Sequence, residues 1–219
     1  MEEVVNNKII LYHGSDKILK TPEFGKGEIN NDYGQGFYCT INKELAGEWA
    51  VLWTGNDGYV NEYSFDYTDL KVLYLNQLSI ENWIAVLVAH RNIDYREAYK
   101  DRVRSFISRF GIDISGYDVI EGWRADDSFY TYIRDFFATA LSLEKLNEAM
   151  NFGDLGNQIC LKSKKTFDII KFVDYYSASA SKFLKSARDR DSDAKRKYYE
   201  MPGKLQGTLL IDLIGRDNL

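Results

Sequence analysis

The spacing of apolar and polar positions divides the chain into short extended runs towards both ends and a helical centre. Lys8 to Tyr12 is a brief apolar run ending at His13-Gly14-Ser15, the pattern of a buried strand that leaves into a turn. Residues 21–36 are rich in Gly, Asn and Asp and read as a loop. Phe37 to Thr40 is a short strand, and Asn42 stands where it can cap a helix over residues 42–53. Gly55 to Gly58 breaks that helix. Tyr59 to Phe65 alternates as a strand does, and Leu70 to Leu75 is a further strand candidate. Helices are predicted from Ser79 to His90, from Tyr95 to Phe110, from Asp126 to Leu141 and from Leu143 to Met150, with Ser142 capping the last of these. Tyr117 to Glu121 is a short strand among them. Gln158 to Lys162 and Phe167 to Val173 read as strands joined by a polar turn over Ser163 to Thr166. A final helix covers about Ser181 to Met201, Pro202-Gly203 ends it, and Thr208 to Ile214 reads as a closing strand.

Strands flanking a helical centre do not give the regular alternation of a doubly wound fold. The order predicts a single α+β domain over residues 1–219, with mostly antiparallel strands and a helical insertion at about 79–150. Composition narrows the classes. Aromatics make up 15% of the chain and only 2 residues are Pro, which argues against disorder. No apolar run is long enough to span a bilayer, and the acidic start MEEVV does not read as a signal peptide, so no membrane association and a cytoplasmic location are expected. Cys39 and Cys160 sit in apolar surroundings, as reduced core thiols do. Two Cys and two His without ligand spacing predict no metal site. The net charge of −5 disfavours a nucleic-acid coat, although one local basic patch on an enzyme stays compatible with it.

Two segments carry candidate chemistry. One is His13-Gly14-Ser15 at a strand end. The other is Gly34-Gln35-Gly36-Phe37-Tyr38-Cys39-Thr40, followed by a helix that holds Trp49. Each by itself is more often a satisfied turn residue, a tight turn or a packed aromatic than a site. Arg124-Ala125-Asp126-Asp127 stands at a strand-to-helix junction, where one acid would serve as an N-cap and the other would be free for a pocket. The segment from Ser181 to Lys204 carries eight Lys/Arg against four Asp/Glu among SKFLKSARDRDSDAKRKYYEMPGK and reads as a solvated helix face.

In this order and spacing the motifs resemble the ADP-ribosyltransferase superfamily, in its diphtheria-toxin-like and poly(ADP-ribose)-polymerase-like branch. The matching elements are His13-Gly14-Ser15, Gly34 to Tyr38, Trp49, and a late strand residue, usually Glu in that branch, where this chain has Gln158 in Gly156-Asn157-Gln158-Ile159. LYHGS, YGQGFYCT, GWRADDSFY and LGNQICLKS, spanning residues 10 to 163, are also similar to a family of small bacterial proteins of unassigned function placed in that superfamily.

The resemblance implies a split, mainly antiparallel β core and NAD⁺ as substrate, with no metal. It assigns a ribose hydroxyl to His13 and the nicotinamide carboxamide to Gly14 and Ser15. Gly36, in the turn before the strand, would be a further cofactor-binding position, and Tyr38 and Trp49 would sandwich the nicotinamide ring. Arg124 would face the diphosphate, Asp126 or Asp127 would supply an acid or an acceptor site, and Gln158 would hold the nicotinamide-ribose 2′-hydroxyl. An amide at position 158 keeps the hydrogen bond and loses the charge, which leaves room for a carboxylate from elsewhere. The implied activity is mono-ADP-ribosylation of a macromolecule, protein or nucleic acid, in the manner of a bacterial toxin or phage-defence protein with a protein antitoxin. An NAD⁺ glycohydrolase and a non-catalytic NAD⁺ or ADP-ribose binding module are the alternatives.

Overall fold

The computed structural model describes residues 8–93, 95–125, 127–153 and 156–215. Within them run β1 (Lys8–Ser15), β2 (Phe37–Cys39), α1 (Lys43–Leu52), β3 (Gly58–Asp66), β4 (Val72–Tyr74), α2 (Ile80–His90), α3 (Lys100–Phe110), β5 (Val119–Trp123) and α4 (Asp127–Phe137). They are followed by α5 (Leu143–Met150), β6 (Asn157–Leu161), α6 (Lys164–Ile169), β7 (Lys171–Ala178), α7 (Ala180–Glu200) and α8 (Leu210–Ile214). The protein is α+β.

The strands form two sheets. One is antiparallel in the order β1-β3-β7; the other, in the order β2-β6-β5-β4, is antiparallel except for the parallel pair β4–β5. The sheets touch at one bridge, where Tyr12 and Thr40 exchange backbone hydrogen bonds of 2.7 and 2.9 Å. Beyond it β1 and β2 belong to different sheets.

Local chemistry explains the helices. The Asn42 side chain accepts from the Glu44 and Leu45 amides at 3.0 and 3.2 Å, satisfying two donors that the first turn of α1 leaves open. Ser79 and Ser142 accept from Asn82 N and Lys145 N in the same way at the starts of α2 and α5. The aromatic content goes into the core: Trp83, Phe106, Phe129, Phe136 and Phe137 are buried together between the helical segment and the four-stranded sheet. Cys39 and Cys160 are free and buried.

Three expectations are corrected. Thr208 to Ile214 is not a strand but the short helix α8, with Leu210 and Ile214, four residues apart, both buried. A run of apolar residues this short carries no period of its own, and here the Asp212 carboxylate accepts from Leu209 N and turns the chain. Ser163 to Ile169 is not a turn plus strand: α6 starts after Ser163, and strand pairing with β3 begins at Lys171. The helix expected from Tyr95 starts at Lys100, after a 3-10 turn over Glu97–Tyr99. No helix among the described residues is long and apolar enough to cross a membrane.

Candidate functional site

A cleft of about 460 Å³ opens where the two sheets part. This volume is in the range of small-molecule sites. Its floor comes from the strand ends: His13 and Gly14 of β1, Tyr38 of β2 and Gln158 of β6. One wall is α1, through Trp49 and Trp53. The opposite side is formed by Asn31 and Asp32 of the long loop, Arg91 after α2, and Arg124 and Ala125 after β5. Helix α7 closes the top through Ala187, Arg188, Arg190, Asp191 and Lys195.

The cleft therefore brings together His13, Gly14, Tyr38, Trp49, Arg124 and Gln158. It does not include Ser15 or Gly36. The Ser15 hydroxyl is directed to its own turn, bonding Asp16 and accepting from Lys17 N. Gly36 instead lines a separate cavity of about 440 Å³ with His90 and Lys162, and its missing Cβ makes room for Cys160, whose sulfur lies 2.3 Å from where that atom would be. Asp126 lies outside the described residues, as does the side chain of Asp127.

His13 Nδ1 lies 2.7 Å from the Tyr38 carbonyl. A carbonyl can only accept, so Nδ1 carries the hydrogen, and in the neutral ring Nε2 holds a lone pair. Burial lowers the His13 pKa below its ordinary value, and the bond to Tyr38 partly opposes that. The ring is thus neutral at pH 7 and able to accept from a ligand hydroxyl. The sign for stability follows. Below the ordinary imidazole value of about 6.5 the unfolded chain takes up a proton that folded His13 refuses. Stability should therefore fall as the pH drops through that value, until the folded ring is protonated too. Urea titrations at pH 7.5 and 5.5 should show this loss in the wild type, and a smaller one in His13→Gln.

The two aromatics are less open than a ring sandwich needs. The Tyr38 hydroxyl donates to Gly34 O at 2.7 Å and accepts from Tyr33 N at 2.9 Å, which makes it the clasp of the Gly34 turn. Its ring stacks on Tyr33. The Arg124 guanidinium covers one face of Trp49 at 4.9 Å from the ring centre. Each ring has one face occupied by the protein itself.

Asp32 is the residue that sequence reasoning missed. It is 5% exposed, yet its carboxylate meets only donors. Oδ2 accepts from Gln158 Nε2 at 2.7 Å and from Ala125 N at 3.1 Å, while Oδ1 pairs with Arg91 Nε at 3.2 Å. Burial pushes its carboxyl above the usual range; Arg91, the Ala125 amide, Gln158 and Arg124 pull it back towards the anion. Because every contact is a donor, the ionised form is the one the site accommodates. No local signal marks Asp32 within Asn30-Asn31-Asp32, which reads as ordinary loop composition. Trp53, the C-cap residue of α1, 91% exposed at the cleft mouth, was missed as well, although its i,i+4 spacing from Trp49 is a signal that could have found it.

Helix α7 is not a solvated face alone. Phe183 sits directly on Gly47 of α1, and Arg190 pairs with the buried Glu48. The exposed side does carry the expected i,i+4 pairs, Lys195–Asp191 and Lys197–Asp193 among them.

Fold and cleft define an α+β protein whose two sheets part around an arginine-lined pocket holding a buried carboxylate. The chain belongs to the family described as protein of unknown function DUF3990, whose model matches residues 9–172. No curated protein and no solved structure matches it. The matched region stops short of α7, so the top wall of the cleft lies outside it. Among the described residues no group of three or more His, Cys, Asp or Glu is placed to hold a metal ion.

Proposed function

We propose that the protein is an NAD⁺-dependent mono-ADP-ribosyltransferase with an ADP-ribosyltransferase-like split β core, acting on an intracellular macromolecule, protein or nucleic acid, as a bacterial toxin or defence protein restrained by a protein antitoxin. The observation that carries this reading is the convergence of His13, Gly14, Tyr38, Trp49, Arg124 and Gln158, from five separate parts of the chain, on one cleft. In the proposed reaction the bond from nicotinamide N1 to ribose C1′ breaks and its electron pair leaves with nicotinamide. The acceptor nucleophile then bonds to C1′ and loses a proton. Little proton transfer is needed on the enzyme; the demand is for a bent dinucleotide and for negative potential near the cationic ribose.

Each residue has a task in that reading. His13 Nε2 accepts a ribose hydroxyl. Trp49 and Tyr38 pack against the nicotinamide ring, and Arg124 and Arg188 supply positive charge for the diphosphate. Gln158 accepts the nicotinamide-ribose 2′-hydroxyl. In the glycohydrolase alternative, water takes the acceptor's place in the same cleft.

The test is incubation with adenylate-labelled NAD⁺ and a bacterial lysate, following nicotinamide release and label on macromolecules together, with nuclease- and protease-treated samples. Label that His13→Ala abolishes is expected, and the digestions name the acceptor class. Nicotinamide release without label would make water the acceptor. Thermal stabilisation by NAD⁺ with neither signal, in a lysate that contains the acceptor, would make the protein a binding module.

A further inference from the structure

The Gln158 amide has two hydrogens, and both are spent. One goes to Asp32 Oδ2 at 2.7 Å and the other to the Trp123 carbonyl at 3.2 Å. Carboxylate and carbonyl can only accept, so nitrogen must occupy that end and the amide cannot flip. Oε1 has no hydrogen-bond partner among the described residues, and it is not sealed off as a buried orphan. Gln158 lines the cleft, so this oxygen is the atom it offers to a ligand.

We infer that Asp32 is the positioning residue of the cleft: its carboxylate holds Gln158 with Oε1 presented to the ligand and loads that oxygen with negative charge, so that an Asp–Gln pair does the work of a single carboxylate. This rests on the NAD⁺ reading above. A carboxylate bonded to an amide N–H polarises the amide and makes its carbonyl oxygen a stronger acceptor. Arg91 and the Ala125 amide hold Asp32 from its other sides, so the anion is fixed rather than free to turn towards the ligand itself. Asp32 reaches Gln158 across 126 residues of sequence, and both are at least nine-tenths buried.

Transposition of the two groups tests this. Asp32→Asn keeps the shape and removes the charge, and nicotinamide release should fall at least tenfold, with kcat affected more than KM. The double variant Asp32→Asn/Gln158→Glu puts the carboxylate at 158 and the amide at 32, and should recover most of the rate. Its profile should gain an acid limb, because the group facing the ligand now titrates. Gln158→Glu alone places two carboxylates side by side, and that limb should move towards neutral pH. The charged and titratable groups around the pair are Arg91 after α2, Arg124 after β5, Tyr33 beside Asp32, Tyr38 of β2 and the buried Cys160 of β6. A merely structural Asp32 would lower the unfolding temperature without these changes of profile.

Full activity in folded Asp32→Asn, or a folded double variant that recovers nothing, overturns the inference while the NAD⁺ reading stands. A wild type that neither releases nicotinamide nor is stabilised by NAD⁺ overturns the reading, and the inference falls with it. Should Asp32→Asn not fold, Gln158→Met gives the answer. It leaves Asp32 its Arg91 and Ala125 partners, so loss of turnover is expected and retained turnover overturns the inference.

Discussion

Arg190→Ala should destabilise the protein by about 3–5 kcal/mol, a large part of the roughly 5–15 kcal/mol that holds a domain together. The partner left behind is Glu48, whose side chain is only 4% exposed on the inner face of α1. Its other polar contact is a weak one from Ser186 at 3.3 Å, also on α7. Removing the guanidinium therefore strands a carboxylate that water cannot reach. Replacing both partners, as Glu48→Met/Arg190→Met, should restore much of the stability, because two apolar chains of similar length carry no desolvation penalty. Urea denaturation of the wild type, Arg190→Ala and the double variant measures the loss and its recovery. Hydrogen exchange adds where the loss appears: amides of α7 should exchange faster than those of the four-stranded sheet. Because α7 forms the top of the cleft, NAD⁺ affinity should weaken in the single variant and return in the double. Equal stability of Arg190→Ala and the wild type would show that Glu48 needs no partner.

Gly14→Ala should cost at least about 1–3 kcal/mol and disable the cleft as well. A Cβ at this position would lie 2.0 Å from Ala46 O, 2.6 Å from Ala50 N and 2.9 Å from Trp49 Cβ. Two of these atoms are helix backbone, so no rotamer change relieves the contact, and α1 must lift off β1. Gly58 meets the same helix from β3, with Ala50 O at 2.3 Å. Lifting α1 moves Trp49 away from Arg124 and His13, so ligand binding should fall by more than the stability loss explains. Gly116→Ala is the control: a Cβ there meets only the end of the Lys71 side chain, at 3.4 Å, and stability should change by no more than about 0.5 kcal/mol. Thermal unfolding with and without NAD⁺ reads both effects. In this structure Gly14 is required first by helix packing; the carboxamide contact that the resemblance implies for it is a separate matter, and ligand binding by a folded Gly14→Ala variant would decide it.

The starts of α1, α2 and α5 were legible because their signals are local. Asn42, Ser79 and Ser142 satisfy amides two or three residues away, so neighbouring letters are enough. The strand set β1 to β6 was legible from apolar runs bounded by turns, and strands towards both ends of a largely helical centre were enough for α+β. Thr208 to Ile214 was not, because what decides a short apolar run is the surface it meets. Leu210 and Ile214 turn one helical face towards the core, and the Asp212 cap is the one local sign of it. The same holds for α7. Its charge pattern was read correctly for the outer face, but its inner face is set by Phe183 against Gly47 and by Arg190 on Glu48, contacts with a helix far earlier in the chain.

The cleft divides in the same way. The strands that carry His13, Tyr38 and Gln158 were legible in the chain, because strand chemistry acts over a few residues, although β1 runs on through Ser15 where a turn was expected. It pointed to Asp126 and Asp127 for a missing carboxylate because they stand beside Arg124. That Asp32 meets Gln158, that Ser15 and Gly36 stay out of the cleft and that α7 covers it depends on contacts between distant parts of the chain. The physical reason is that a buried anion is tolerated only where several donors converge. Those donors come from Arg91, Ala125 and Gln158, which the chain brings together only when both sheets and the helical segment are in place.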